Sequence, residues 1–314
     1  MHPAYSVIFF TTLSGAGYGL MIWMALARFS HSIVLEPVAG VLACLVALAL
    51  ISAGLLSSTI HLGHPERAWR SFSQWRSSWL SREGVLAVVT YAPALVFTIS
   101  WIPGLVPASW APWLALATAL LSVITVYCTG MIYASLKTIP RWHNKWVVPV
   151  YVAFAMGSGG LLYAVVLSGS GQSSTQALVM ILAFVLIAWL IKFNYWHFID
   201  QQKVASNPGT ATGLGRFGEV SQLEAPHTSE NYLLKEMGYR IARKHAAKLR
   251  RFAVLLGLLV PAIVIVLTLK MSGLGQIVLL TLALLAGYIG IVIERWLFFA
   301  EARHAVTLFY GRSL

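Results

Sequence analysis

Residues Gly84 to Leu136 read GVLAVVTYAPALVFTISWIPGLVPASWAPWLALATALLSVITVYCTGMIYASL and contain no charged side chain. A soluble core could not absorb so long an apolar run, but the run is long enough for two transmembrane helices of about 20 residues each. Its prolines at positions 103, 107 and 112 lie where a turn between two such helices is expected. A second uncharged run extends from Trp146 to Ile191 and is broken by Ser168-Gly169-Ser170-Gly171. The chain is therefore predicted to be an integral membrane protein.

The composition of all 314 residues agrees with this class, because 58% are hydrophobic and only 10% are charged. Soluble domains carry roughly 25% charged residues. The apolar residues run continuously instead of alternating, which predicts helices and not the strands of a membrane barrel. We therefore predict an all-α fold with eight transmembrane helices, at residues 6–28, 38–60, 83–102, 111–135, 146–168, 176–199, 252–270 and 275–299.

Glycines cluster in two of the predicted helices, at positions 15, 17 and 19 of the first and at positions 157, 159 and 160 of the fifth. Small residues at such spacing are typical of helices that approach each other closely in membranes. We expect these two clusters to serve helix packing.

The basic residues predict the orientation of the helices. An even number of spans places both termini on the same side as the loops 61–82, 137–145 and 199–251, and this side carries 18 of the 22 Lys and Arg residues. Cytoplasmic loops of membrane proteins carry such an excess. We therefore expect both termini and these loops to be cytoplasmic, in the inner membrane of a bacterium. Because topology accounts for the net charge of +12, no nucleic-acid partner is expected.

The chain is expected to form one membrane domain, 1–314, with a single cytoplasmic insertion, 200–251, between the sixth and seventh helices. The Gly-rich part of this insertion, 207–218, is predicted to be a loop. From Ser229 onward, apolar residues are interleaved with Lys and Arg, which predicts a basic amphipathic helix. Such a helix lies on anionic lipid or docks a cytoplasmic partner subunit, and both interpretations stay open.

The positions of cysteine and histidine do not favour a metal site or a haem in this chain. Cys44 and Cys128 both lie inside predicted helices, and neither has a partner at metal-ligand spacing. A transmembrane haem needs histidines that face one another from within different helices. The candidate histidines lie instead at helix ends or in loops: His61, His64, His143, His197 and His304. Any iron–sulfur cluster would have to be held by another subunit.

A short connection between the second and third predicted helices concentrates the polar residues. It contains His61-Leu62-Gly63-His64-Pro65-Glu66-Arg67-Ala68-Trp69-Arg70 and ends at Ser81-Arg82-Glu83. Since the connection is short, His61 and Glu83 are expected at the ends of adjacent helices, with Glu83 opening its helix, where the helix dipole favours a carboxylate. An imidazole can donate to a quinone carbonyl, and a carboxylate can exchange protons with water. The pair predicts a quinone site.

Three more side chains of this connection are candidates for the quinone site: Arg67, Trp75 and Trp79. The rings of Trp69, Trp75 and Trp79 would form an apolar wall beside a flat ligand, although tryptophan is also a usual anchor at a membrane interface. The arginine is suited to docking an acidic partner surface, or it serves only to set the topology.

A further group of polar residues is expected near the same side of the membrane. Its members are candidates for a proton path or for the rim of a pocket: His64, Arg82, Lys192, Tyr195, His197 and Glu294. For Lys192 the alternative is that its side chain extends to the nearby interface, and for Glu294 that it pairs with a neighbouring cation.

Three segments carry a resemblance to a known family. They are His2-Pro3-Ala4-Tyr5-Ser6-Val7-Ile8-Phe9-Phe10-Thr11-Thr12, the block His61-Leu62-Gly63-His64-Pro65-Glu66-Arg67-Ala68-Trp69, and residues 230–245. Over essentially its whole length the chain resembles the dimethyl sulfoxide reductase anchor subunits (DmsC-like), and within them the sulfite dehydrogenase branch (SoeC-like). The His-Leu-Gly-x-Pro-x-Arg-Ala pattern is the specific part of this resemblance.

The resemblance implies an eight-span membrane subunit of a molybdoenzyme, without catalytic residues of its own. The partners it implies are an iron–sulfur subunit with several clusters and a molybdopterin catalytic subunit. The membrane subunit of this family exchanges electrons with a quinone, which is ubiquinone or menaquinone. The histidine and the glutamate to which the family's quinol handling is attributed fall here on His61 and Glu83.

Orientation selects between the branches of the family. The charge pattern places the 61–82 connection in the cytoplasm, as the resemblance implies for the sulfite-oxidising branch. We therefore expect a sulfite:quinone oxidoreductase whose quinone site and partner subunits are cytoplasmic. The alternatives are a quinol-oxidising anchor of a dimethyl sulfoxide reductase-type enzyme and a transporter that uses the arginines for an anion. The transporter predicts charges at the middle of the membrane and broken helices there.

Overall fold

The computed structural model describes residues 5–29, 35–60, 62, 64–202, 207–221, 223–224, 243–302 and 304–310. Within these ranges the protein is helical without any strand, and eight helical spans are long and apolar enough to cross a membrane. The predicted fold class and number of spans are confirmed. Six spans are single helices: α1 Tyr5–Phe29, α2 Pro37–Ser57, α3 Trp79–Ile99, α4 Ala111–Ala134, α5 Val147–Gly169 and α6 Thr175–Gln201.

The stretch predicted to be a Gly-rich loop contains a short helix, α7, at Pro208–Thr212, followed by a 3-10 helix at Leu214–Phe217. Asn207 accounts for α7, because its side chain accepts a hydrogen bond from the Thr210 amide while the Thr210 hydroxyl accepts one from the Asn207 amide. The amphipathic helix predicted from Ser229 lies mostly outside the described residues.

The seventh span begins earlier than predicted and is interrupted by a π-helical turn. Gly257, inside that turn, lets α6 come close, and its carbonyl accepts a hydrogen bond of 2.9 Å from the indole N–H of Trp189. The seventh span consists of α8 Ala246–Val254, the π turn Leu255–Leu259 and α9 Val260–Thr268. The eighth span is a single helix, α10 Leu274–Ala300.

Residues 58–78 connect α2 and α3, and a 3-10 helix forms their central part. α2 ends at Ser57 and not, as predicted, at residue 60. At this end the hydroxyls of Ser57 and Ser58 donate to carbonyls of the last helical turn. A 3-10 helix then runs from Pro65 to Gln74. His61 and Gly63 lie outside the described residues. We call the side of the protein that carries this connection the motif face.

α3 begins at Trp79 instead of residue 83. Ser78 caps the helix, and its side chain accepts a hydrogen bond of 3.4 Å from the Ser81 amide. Glu83 therefore lies in the second turn and does not open the helix, which corrects the prediction. The expected support of its ionised form by the helix dipole does not apply, because that effect fades beyond the first turn.

α1 and α5 form the centre of the bundle. α1 packs against α2, α4, α5 and α10, and α5 also packs against α4, α6 and α10. Gly19 and Gly159 meet backbone to backbone, so that a Cβ on Gly19 would overlap the Ala155 carbonyl and one on Gly159 would overlap Gly19. The predicted role of glycines in close helix packing is confirmed at this contact.

Gly19→Ala is expected to lower the melting temperature of the purified protein, because the new methyl group must push α1 and α5 apart. Overpacking of this kind costs about 1–3 kcal/mol. Gly15→Ala, one turn away in the same helix, is the control, since its Cβ would lie 4.0 Å from Ala155 Cβ. Thermal unfolding in detergent, followed by intrinsic fluorescence, compares the two variants. Equal melting temperatures would contradict the close contact.

Candidate functional site

A cavity of about 850 Å³ lies beside the 58–78 connection, between α2 and α3. α2 packs mainly against α1 and α3 packs mainly against α4, so the two helices leave space between them. The 3-10 helix borders this space, and its Phe72 ring rests on Gly84, where a Cβ would lie 2.9 Å from the ring. Tyr133, Trp142 and Phe299 complete the lining on the side of the bundle core. Most of the wall is apolar or aromatic.

The cavity opens sideways from the bundle. Leu56 of α2 and Leu80 and Val88 of α3 line it, and they are 66%, 56% and 60% exposed. These residues belong to the membrane spans or to their ends, so their exposed surfaces face lipid when the protein is in a bilayer. An apolar molecule dissolved in the membrane can therefore reach the cavity between the two helices.

Glu83 is the buried ionisable group of this cavity. Its side chain lines the cavity and is only 4% exposed, and its Oε1 has no hydrogen-bond partner among the described residues. The hydroxyl of Thr129, on α4, lies beside the carboxyl group. A buried polar atom without a partner costs free energy, and in a membrane span such a group usually has a function. The arrangement suits a proton exchange with a ligand in the cavity.

His61, the predicted partner of Glu83, lies outside the described residues. Its nearest described neighbours along the sequence are Ile60 and Leu62, and Thr59 and Leu62 both line the cavity. Described residues that precede and follow His61 in the sequence therefore line the same cavity as Glu83.

His64 and Arg67 lie at the rim of the cavity, and both side chains are more than half exposed. Glu66 lies beside them, with its Oε1 at 3.0 Å from His64 Nδ1 and at 3.7 Å from Arg67 Nε. Exposed pairs of this kind contribute little to stability. They place titratable groups where the cavity meets the motif face.

Arg82 supports the connection and does not line the cavity. Its Nε donates to the Trp75 carbonyl over 2.9 Å and its Nη2 to the Arg76 carbonyl over 2.7 Å. The guanidinium also lies over the Trp79 ring, 4.2 Å from its centroid. It therefore fixes the turn that precedes α3.

The tryptophan in the cavity wall beside the 3-10 helix is Trp69, whereas Trp75 and Trp79 are absent from the described lining. Trp79 packs edge-on against Tyr127 of α4, with 6.0 Å between the ring centroids. Trp69 and Phe72 share one side of the 3-10 helix, because this helix has three residues per turn. Trp69 is one of the three tryptophans expected in the wall, and its three-residue spacing from Phe72 is the sequence signal that could have identified Phe72.

Lys192, Glu294 and Arg295 form a second polar site in the bundle interior. Lys192 Nζ lies 2.5 Å from Glu294 Oε1, and Arg295 Nη2 lies 3.3 Å from Glu294 Oε2. All three residues are at most 2% exposed. Lys192 therefore does not extend to the interface, and Glu294 is paired with two cations. We call these three residues the buried triad.

Tyr195 and His197, which follow Lys192 on α6, lie in different surroundings. Tyr195 is buried, its ring lies 4.1 Å from Lys192 Nζ, and its hydroxyl donates to the Arg141 carbonyl over 3.1 Å. His197 is exposed. Of the two, Tyr195 contacts the buried triad and His197 does not.

Within the described ranges no three His, Cys, Asp or Glu side chains are grouped so that they could hold a metal ion. Cys44 and Cys128 are free and buried.

Comparisons with known proteins agree on one family. The family described as DMSO reductase anchor subunit (DmsC) matches residues 1–312. The C subunit of the sulfite dehydrogenase of Allochromatium vinosum is 32% identical, and the match spans 99% of both proteins. The C component of the anaerobic dimethyl sulfoxide reductase of Escherichia coli K12 is 28% identical over 60% of the present protein and 65% of its own length. No solved structure matches significantly.

A match along nearly the entire sequence, together with eight membrane spans, identifies the protein as a multi-pass membrane anchor subunit that belongs to the DMSO reductase anchor subunit (DmsC) family.

Proposed function

We propose that this protein is the membrane anchor of a sulfite dehydrogenase-type molybdoenzyme and that it binds a quinone in the cavity between α2 and α3. The observation that carries the proposal is the buried carboxyl group of Glu83. It lines an apolar cavity that opens toward lipid, and its Oε1 has no hydrogen-bond partner among the described residues. The molybdenum site and the iron–sulfur clusters belong to partner subunits in this proposal. Electrons pass from those clusters to the quinone.

A quinone, when bound, supplies an acceptor for two electrons and two protons. The apolar wall, including Trp69, Phe72 and Val88, binds the ring and excludes water. Glu83 holds a proton at its Oε1 and delivers it to the ligand, and His61 donates to a ring carbonyl. Arg67 and His64 lie at the rim, where the cavity meets the motif face.

Two observations favour sulfite oxidation with cytoplasmic partners. The relative named as a sulfite dehydrogenase subunit matches the full length of the protein, whereas the E. coli dimethyl sulfoxide reductase component matches 60% of it. The termini and loops expected on the motif face also carry 18 of the 22 Lys and Arg residues, which favours a cytoplasmic location. The similarity to the E. coli dimethyl sulfoxide reductase component supports the alternative, a quinol-oxidising anchor with the same site and reversed electron flow.

Glu83→Gln is expected to slow quinone reduction by the intact complex by about 10²-fold or more, the usual contribution of a general acid. Sulfite oxidation with ferricyanide, which takes electrons from the partner subunits, should stay at the wild-type rate. Glu66→Gln is the control, because Glu66 is exposed at the rim. Steady-state rates with the two acceptors check the prediction, and unchanged quinone reduction in Glu83→Gln would contradict it.

Gly84→Leu is expected to raise the KM for quinone by roughly tenfold or more, which corresponds to about 1.4 kcal/mol. The leucine must displace Phe72 or enter the cavity, since even a Cβ lies within 2.9 Å of that ring. Val85→Leu, the next residue and not part of the described lining, is the control. A KM for Gly84→Leu equal to that of Val85→Leu would place quinone elsewhere.

Orientation is tested with two single-cysteine reporters in a variant that lacks Cys44 and Cys128. A membrane-impermeant maleimide applied to intact cells should label Gly171→Cys, in the α5–α6 loop, and not Ser73→Cys, in the 3-10 helix. Cell lysis should then expose Ser73→Cys. Labelling of Ser73→Cys in intact cells would reverse the topology and favour the quinol-oxidising alternative.

A further inference from the structure

A second, much smaller cavity lies between α1, α4, α5 and α10. Its volume is about 20 Å³, which is enough for one water molecule. Polar side chains from all four helices line it, among them Ser14, Thr129, Tyr151, Ser158 and Arg295. Its position lies within about three helical turns of the motif-face ends of these helices. We call it the inner cavity.

The inner cavity offers both acceptors and donors to a water molecule. The hydroxyls of Ser14 and Ser158 already donate to carbonyls of their own helices, over 2.6 and 2.7 Å, so their oxygens remain as acceptors. Arg295 and Tyr151 also line the cavity, and Nε and Nη1 of Arg295 and the Tyr151 hydroxyl have no hydrogen-bond partner among the described residues. A water needs two to four such partners, and this cavity supplies them.

One end of the inner cavity leads to Glu83. Thr129 lines the inner cavity and also lies beside the Glu83 carboxyl group in the large cavity. The Thr129 hydroxyl donates to the Thr125 carbonyl over 3.1 Å, so its position on α4 is fixed by its own helix. A single side chain thus separates the water site from the proposed proton donor to quinone.

The other end leads to the buried triad and then to the motif face. Arg295 lines the inner cavity and binds Glu294, which binds Lys192. Glu301 lies about two helical turns beyond Glu294, at the C-terminal end of α10, and its Oε1 is 2.7 Å from Arg250 Nη2. Arg250 also binds Asp200, whose side chain is 50% exposed. Ionisable groups therefore extend from the surface to the interior.

The charges of the buried groups permit a proton to move among them. Lys192 and Arg295 are balanced by Glu294 and Glu83 when all four are ionised. A proton that passes from Lys192 to Glu83 removes one charge of each sign and leaves the total unchanged. Such a transfer avoids an uncompensated charge in a medium of low polarity. Arg295 keeps its own proton, because a guanidinium does not release it in proteins.

We propose that Lys192 and Glu294, with one water in the inner cavity, form an internal proton-transfer route that ends on Glu83. The route rests on the proposed quinone site, because Glu83 then passes the proton to the reduced ligand. Each quinone takes two electrons from the iron–sulfur partner and two protons through this route, one after the other. Each proton that leaves Lys192 is replaced from the motif face. Arg295 and Thr129 are positioning residues for the water.

Thr129→Val in the intact complex tests the route with little change of shape. We expect at least a tenfold loss of quinone reduction with a larger solvent deuterium isotope effect. The rate with ferricyanide and the binding of a fluorescent quinone analogue should equal those of the wild type. Thr118→Val is the control, because Thr118 is a buried threonine of the same helix outside the inner cavity. Wild-type rates and isotope effects in Thr129→Val would overturn the route.

Glu294→Gln provides a second test of the proton-transfer route. It should also slow quinone reduction, and azide, a small weak acid, should restore part of the rate. If Glu294→Gln does not fold, Thr129→Val decides alone. If Glu83→Gln is slow while Thr129→Val and Glu294→Gln are as fast as Thr118→Val, the route fails and the quinone site stands. If Glu83→Gln itself is fast, the quinone site fails, and the route fails with it.

Discussion

The hydrocarbon of a bilayer gives an ionisable side chain no water to bind, and this constraint shapes the interior of the protein. Glu294 replaces water with direct ion pairs, to Lys192 at 2.5 Å and to Arg295 at 3.3 Å. Glu83 has no such pairing. Its Oε1 has no hydrogen-bond partner among the described residues, and its side chain borders a cavity. The pairing holds Glu294 in place, whereas Glu83 is left available to a ligand.

The number and class of the membrane spans could be predicted because the bilayer thickness dictates their length. The residues at which the helices begin and end could not be predicted, because helix ends depend on single hydrogen bonds. Ser78 caps α3, which therefore starts four residues before Glu83, and Asn207 caps a short helix in a stretch rich in glycine. The glycine clusters predicted close packing, but only the structure pairs Gly19 with Gly159.

The candidate site could be predicted only where a costly residue marks it. Glu83 directly precedes a long uncharged run, and Lys192 directly follows another, so both are conspicuous in the sequence. Thr129 and Tyr151 are ordinary residues of apolar helices, and their role arises from the convergence of helices distant in the sequence. Trp69 and Phe72 line the cavity from a 3-10 helix, which the sequence pattern does not distinguish from an irregular loop.

Photoaffinity labelling of the membrane-embedded complex with an azidoquinone, followed by peptide mass spectrometry, tests the quinone site most directly. The account predicts cross-links to the end of α2, to the 3-10 helix and to the first turns of α3, and their suppression by excess unlabelled quinone. Specific cross-links confined to other helices, with these segments unlabelled, would contradict it.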